Sequence, residues 1–269
     1  MSISKEIAKC ITETNINNIP FEVRNKAKLL FIDWLGVSLA GARSEFGPVV
    51  LGYLNECGQN GPATLLGSDI KYDILSASFG NGVYSHALDF DDYDMETVLH
   101  TTAPTLPALL AAAEYNGTSG KKFLMAIILA LDITLRLGKA VKRVHYTRGW
   151  HITSTIGRLG AVAGVSKIMD LSNEVIVNSM GIAATSSGGL RAVFGTMSKP
   201  FHAGKAAMDG MMACLLARNG MDSEVNIFEA KHGFFDLFTE SPDKDILIDS
   251  LGTEFFLHQI SYKKYPAPL

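Results

Sequence analysis

Several protein classes are excluded by what this 269-residue sequence lacks. Cysteine is scarce: Cys10, Cys57 and Cys214 lie far apart, form no CxxC metal pattern and cannot all pair with one another. Reduced thiols in a soluble cytoplasmic protein are the expectation. Positive charge is not concentrated either. The net charge is −3, and lysine and arginine are scattered apart from Lys142-Arg143 and Lys263-Lys264, so no broad basic surface for nucleic acid is expected. The longest apolar run, FLMAIILALDITL, is too short to span a bilayer and contains Asp132. The N-terminus, MSISKEIAKCITETN, carries charges early and has no apolar core region, so it does not read as a signal peptide. The glycine loops of nucleotide enzymes are missing, as are HExxH and GxSxG. Strand signals are few, no repeat period shows, and no low-complexity linker divides the chain.

What remains is helical. The chain is 47% hydrophobic and 19% charged, which suits a well-buried core. Pro20 precedes FEVRNKAKLLFIDWLGVSLAGAR, apolar at helical intervals. Ser119 can cap KKFLMAIILALDITLRLGKAV, which is apolar nearly all round and predicts a central buried helix. Ser172 can cap NEVIVNSMGIAAT, and Asn219-Gly220 can close AGKAAMDGMMACLLARNG with a left-handed C-cap. Gly and Ala recur on these helices and allow close backbone approach. VVLGYL (49–54) and TEFFLHQI (253–260) fit a strand or a helix equally well. The expected fold is mainly α, one all-α helical bundle of helix packed on helix.

Three polar constellations stand out. The first is HALDFDDYDMETVLHTTAP (86–104), with five carboxylates between His86 and His100. Asp89 and Asp92 are three apart and could share a helix face and hold Mg²⁺. However, Met95 stands where a DDxxD run needs its last aspartate, and no second acidic run follows, so no metal is expected. A solvated helix end is the bland alternative. His86 reads as a satisfied core histidine, whereas His100 lies in a loop before prolines, where function concentrates. The second constellation is RGWHITSTIGRLGAVAG (148–164), where His151, Thr153 and Ser154 precede a glycine-rich helix whose N-terminus suits an anion. The third is GTMSKPFHAGKAAMDG (195–210). There Ser198, Lys199, His202 and Lys205 crowd a helix start, against the dipole rule unless a carboxylate joins them. Carboxylates in one segment, with cations and helix N-termini in two others, suit proton abstraction α to a substrate carboxylate, with electrostatic support for the charge that develops.

The segments NGVYSHALDFDD, APTLPALLAAAE, GWHITSTIGRLGAVAGVSKIMDLS, NSMGIAATSSGGL, SKPFHAGKAAMDGMMACLLARNG, KHGFFDLF and SYKKYP, in that order, resemble the MmgE/PrpD family. The resemblance runs from about residue 5 to the C-terminus and implies a large helical domain, a homodimer and no cofactor. By the same resemblance, Asp89, His100, His151, Lys199 and Lys263 are catalytic, with His202, Thr153 and Ser198 binding substrate. Asp91 and Asp92 would support them. Many family members have His-Pro where this chain has His100-Thr101, and the family typically carries a smaller α+β lid domain after the Tyr-Pro motif. The expectation is therefore a large domain over 1–260, with 261–269 beginning a junction to a lid that is missing.

The family includes 2-methylcitrate dehydratase, cis-aconitate decarboxylase and iminodisuccinate epimerase. Three functions follow as expectations. The leading one is a cofactor-independent lyase acting on a small di- or tricarboxylate such as 2-methylcitrate or cis-aconitate. A dicarboxylate epimerase and an inactive, carboxylate-binding dimerisation domain are the alternatives.

Overall fold

A computed structural model describes residues 2–267. In chain order the helices and strands are α1 (Ile3–Glu13), α2 (Phe21–Ala42), α3 (Phe46–Cys57), β1 (Asn60–Thr64), β2 (Lys71–Tyr72), α4 (Ile74–His86), β3 (Tyr93–Asp94), α5 (Leu106–Asn116), α6 (Gly120–Thr147), α7 (Ile152–Ile168), α8 (Asn173–Thr185), α9 (Ser198–Arg218), α10 (Phe234–Phe238), α11 (Asp245–Ile248) and β4 (Ile260–Ser261). The fold is mainly α, as expected. The region 49–54 lies in α3, and 253–260 resolves into a 3₁₀ turn at Phe256–Gln259, so neither is a strand ahead of Ile260.

The elements form for local reasons that the sequence shows. Ser119 accepts the Lys122 N–H at the start of α6, and Ser172 accepts that of Val175 at the start of α8. Each such cap contributes about 1 kcal/mol. Asp73 caps α4 through the Leu75 and Ser76 N–H groups, at 2.9 and 3.0 Å. At the end of α9, Gly220 takes a φ of +99°. Its N–H reaches the Ala217 carbonyl and the Met221 N–H reaches that of Leu216, the paired bonds of a Schellman closure.

The core is a chain of helix pairs: α6 on α7, α7 on α9, α9 on α4, and α4 on both α2 and α5. From Ala126 to Val141 every residue of α6 is buried, which the all-round apolar pattern predicted. The α4–α9 contact depends on glycine. A Cβ on Gly82 would lie 2.6 Å from the Gly204 Cα, and one on Gly204 would lie 2.5 Å from the Phe79 carbonyl oxygen. Only glycine at both positions lets the two backbones meet there. This close crossing brings His86, at the end of α4, near Lys199 and His202, in the first turns of α9.

The small strands matter for placement. β3 and β4 pair antiparallel, Tyr93 opposite Ser261 and Asp94 opposite Ile260. The segment expected to begin a junction is thus fastened to the acidic stretch, and Lys263 follows directly. Among the described residues, no helix is long and apolar enough to cross a membrane.

Candidate active site

The acidic stretch is not helical beyond His86, and only Met95 and Glu96 in it are exposed. Helix α4 ends at His86, and Asp89 takes a left-handed φ of +50°. That rules out the expected helix face shared by Asp89 and Asp92, because no helix continues through them. Asp91, Asp92 and Asp94 are buried and each has its own partners. Asp92 accepts the N–H and hydroxyl groups of Thr101 and Thr102. Asp94 accepts the Thr97 N–H at 2.9 Å and its hydroxyl at 2.6 Å, and Glu96 pairs with Lys139. Two carboxylates remain to answer the two histidines and the lysines.

Asp89 is the meeting point of the lysines. Its Oδ2 pairs with the Lys199 ammonium. Its Oδ1 accepts from Lys263 Nζ at 2.7 Å, and its backbone carbonyl accepts from the same nitrogen at 2.8 Å. His100 Nε2 lies 3.8 Å from Oδ1. Burial alone would push the Asp89 carboxyl up, but the hydrogen bonds from Lys199 and Lys263 outweigh it and hold the group below its ordinary value. The conflict between Lys199 and the helix dipole is resolved by a carboxylate of the chain itself.

Four histidines line the other side. His86 stacks on His151 with ring centroids 5.6 Å apart and meets His100 edge-on at 4.7 Å. His151, at the N-cap of α7, places Nδ1 2.9 Å from the Nδ1 of His202, so one ring donates and the other accepts. Burial depresses His86, His151 and His202, the last to about 4, so these three rings are neutral near neutral pH. Phe194 closes this wall, edge-on to His151 at 4.8 Å and 5.3 Å from Lys199 Nζ. Behind it, buried Arg158 bonds the Ser154 carbonyl, pairs with Asp209 and reaches the Ser186 carbonyl. This anchors the loop that presents the Gly189 carbonyl to the His151 N–H, at 2.9 Å.

The structure therefore brings Asp89, His100, His151, Lys199, Lys263 and His202 together. Thr153 is buried, and its hydroxyl accepts the His100 backbone N–H at 3.2 Å, tying the His100 loop to α7. Ser198 is exposed at the start of α9, and its N–H bonds the Thr196 hydroxyl. Lys205 pairs with Asp209 and so belongs to the Arg158 network. Sequence reasoning missed His86, read as a core histidine, and gave Asp91 only a supporting place. The Asp91 Oδ2 lies 2.8 Å from His86 Nδ1 and 2.9 Å from His100 Nδ1. Among the described residues, these three side chains are also a group that could hold a metal ion, with ligand-type atoms within 4.8 Å of one another. A cavity of about 360 Å³ opens beside Tyr93 and is lined by Arg143, Tyr146 and Arg191. Neither this cavity nor the larger clefts at Lys121–Lys167 and at Lys9–Asp222 is lined by any of the clustered histidines.

The chain is similar in sequence to known proteins. The cis-aconitate decarboxylase-like protein oryM of Aspergillus oryzae is 30% identical over 249 residues, covering 89% of this chain and 52% of that protein. Human cis-aconitate decarboxylase is 28% identical over 276 residues, covering 100% of this chain and 57% of that protein. The Aspergillus terreus cis-aconitate decarboxylase is 27% identical over 277 residues, with 98% and 56% covered. The chain spans about half the length of these relatives. The MmgE/PrpD N-terminal domain matches residues 5–247, and the chain belongs to the MmgE/PrpD family.

Proposed function

We propose that the chain carries the catalytic groups of a lyase acting on a small tricarboxylate of the cis-aconitate type, by proton transfer and without a cofactor. One observation carries the reading. The ammonium groups of Lys199 and Lys263, from α9 and from the segment after β4, converge on one carboxylate beside four clustered histidines. Substrate carboxylates compete for those two cations, and Asp89 keeps the cations in place when no substrate is present.

Proton transfer then falls to a histidine rather than to Asp89. A carboxylate held below its ordinary value by two ammonium groups is a weak base. His100 touches both Asp89 and Asp91 and turns its Nε2 to the cradle. In decarboxylation of cis-aconitate, the bond from the methylene carbon to its carboxylate breaks. The electron pair moves into the adjacent C=C system, the distal carbon takes the Nε2 proton of a doubly protonated His100, which is left neutral with its hydrogen on Nδ1, and CO₂ leaves. Lys199 and Lys263 hold the remaining carboxylates and stabilise the charge that spreads towards them.

The assembly is a homodimer in this reading. Along α2, Leu29, Ile32 and Leu39 are exposed at helical spacing, and Val49 and Tyr53 of α3 are exposed as well. Such a face suits a second copy of the chain.

The test is proton NMR in D₂O with cis-aconitate, 2-methylcitrate, citrate and an iminodisuccinate-generating mixture. Loss of CO₂ from cis-aconitate with one deuteron in the product supports the decarboxylase. Water loss from 2-methylcitrate makes the protein a dehydratase, and exchange with inversion alone makes it an epimerase. No change in any of the four contradicts a lyase.

A further inference from the structure

We propose that Asp91 is the positioning residue for His100, acting by fixing which ring nitrogen carries the proton. This deepens the lyase reading and rests on it for the role of His100.

Asp91 is fully buried, and its Oδ2 faces two imidazoles at once, His86 Nδ1 at 2.8 Å and His100 Nδ1 at 2.9 Å. An ionised carboxylate can only accept, so each facing nitrogen must bear hydrogen. The His86 contact is a well-formed hydrogen bond. The His100 contact has the length of a hydrogen bond without its alignment, and Nδ1 has no other partner. Burial by itself raises the Asp91 carboxyl, but the charges and hydrogen bonds of His100 and His86 outweigh it and hold the group well below its ordinary value.

The opposite tautomers fail on the same geometry. Moving the His86 proton to Nε2 would set a lone pair against Oδ2 and leave a buried N–H without an acceptor, because Nε2 has no partner. An orphaned buried donor costs about 1–3 kcal/mol. The other Asp91 oxygen, Oδ1, also has no partner, so the two rings alone orient this carboxylate. His86 thus pins Asp91, and Asp91 pins His100. The remaining His100 nitrogen, Nε2, is the one turned to Asp89 and the lysine cradle. It can then give or take a proton while Nδ1 keeps its own. The titratable groups around this ring are Asp89, Asp91 and Asp92 of its own loop, His86 of α4 and His151 of α7, with Lys199 of α9 and Lys263 after β4 bonded to Asp89.

A metal ion on the same three side chains is the competing occupant. The 2.8 and 2.9 Å separations are hydrogen-bond lengths. Ligand atoms around a tetrahedral ion at roughly 2.0–2.1 Å stand about 3.3 Å apart, so the geometry favours shared protons.

The test is long-range ¹⁵N–¹H NMR of the ¹⁵N-histidine-labelled protein above the titration range of free imidazole. His86 and His100 should both show the Nδ1–H tautomer. In Asp91→Asn both rings face a single amide group, its oxygen or its NH₂, so the two tautomers should be kept together or reversed together, and a change in one ring alone would contradict the shared contact. An Nε2–H tautomer for His100 in the wild type, or stoichiometric bound metal in the purified protein, would overturn the proposal. If Asp91→Asn does not fold, the wild-type tautomers still decide. With whichever substrate the wild type turns over, Asp91→Asn should lower kcat roughly 10²- to 10⁴-fold with KM little changed, and should displace the pH profile. A loss confined to KM would overturn the proposal. If no substrate is turned over, the lyase reading falls, while the tautomer measurement still stands or fails on its own.

Discussion

Replacing Arg136 by Met should destabilise the protein severely, although Arg136 lies outside the catalytic cluster. Arg136 is buried in α6 and pairs with buried Asp132 through Nε at 2.8 Å. Its remaining nitrogens reach the carbonyls of Ile246, Asp249, Ser250 and Glu254, at 2.8, 2.8, 3.3 and 2.9 Å. Asp132 in turn accepts the Phe256 N–H at 2.8 Å. One ion pair therefore clasps the segment that leads through β4 to Lys263. Methionine fills much of the volume but leaves Asp132 buried without its cation, and breaking a buried pair in this way costs about 3–5 kcal/mol. For a chain of this size that is a fall in Tm of roughly 6–20 °C.

Burial already pushes the Asp132 carboxyl up, with Arg136 and the Phe256 N–H only partly opposing it. Without Arg136 it should rise further. A carboxyl whose folded value is raised costs stability as pH rises through that value, so the variant should gain stability relative to wild type on acidification. Adding Asp132→Asn should recover part of the loss. Urea unfolding followed by circular dichroism measures the wild type, Arg136→Met, Asp132→Asn and the double variant. A loss below about 1 kcal/mol for Arg136→Met, or strict additivity in the double variant, would refute the clasp.

Acidification should unfold the protein in part through His145, whose ring nitrogens bond the Phe238 carbonyl and the Thr155 hydroxyl. Burial holds it at about 4 against 6.5 when free. The unfolded chain therefore takes up that proton first, and stability is complete above 6.5 and lost between 6.5 and about 4. The loss should be roughly 3 kcal/mol, and equal unfolding midpoints at both ends of that window would contradict it. Gly204→Ala should drive a Cβ to 2.5 Å from the Phe79 carbonyl oxygen and 2.7 Å from Val83 Cγ2. That should cost about 1–3 kcal/mol and move Lys199 and His202 away from α4; an unchanged Tm would contradict the close crossing. Ile32→Asp, on the exposed α2 face, should convert a dimer to a monomer by sedimentation, and a monomeric wild type would remove the proposed interface.

The helices were legible because their signals are local. Ser119 and Ser172 cap where expected, Gly220 closes α9, and the all-round apolar pattern of α6 marks a helix without a solvent face. β3 and β4 were not legible, because each has two residues and exists only by pairing across most of the chain. Asp89, His100, His151 and Lys199 stood out in their polar segments, but their individual roles, and Lys263 as a site residue, came from motif resemblance. His86 and Asp91 escaped for a different reason. Their roles depend on the left-handed turn at Asp89, which brings a carboxylate back onto the last residue of α4. A run of five acidic residues does not show which carboxylates meet lysine, histidine or threonine once the chain turns inward.

The central claim is that Lys199 and Lys263 form the cradle for a carboxylate substrate. Calorimetric titration of cis-aconitate into the wild type, Lys199→Ala and Lys263→Ala tests it most directly. Saturable binding to the wild type, weakened at least about tenfold in each variant, is the predicted result, since tenfold corresponds to roughly 1.4 kcal/mol and a charge-assisted bond contributes at least that. Equal affinity in all three proteins, or no binding to the folded wild type, would contradict it.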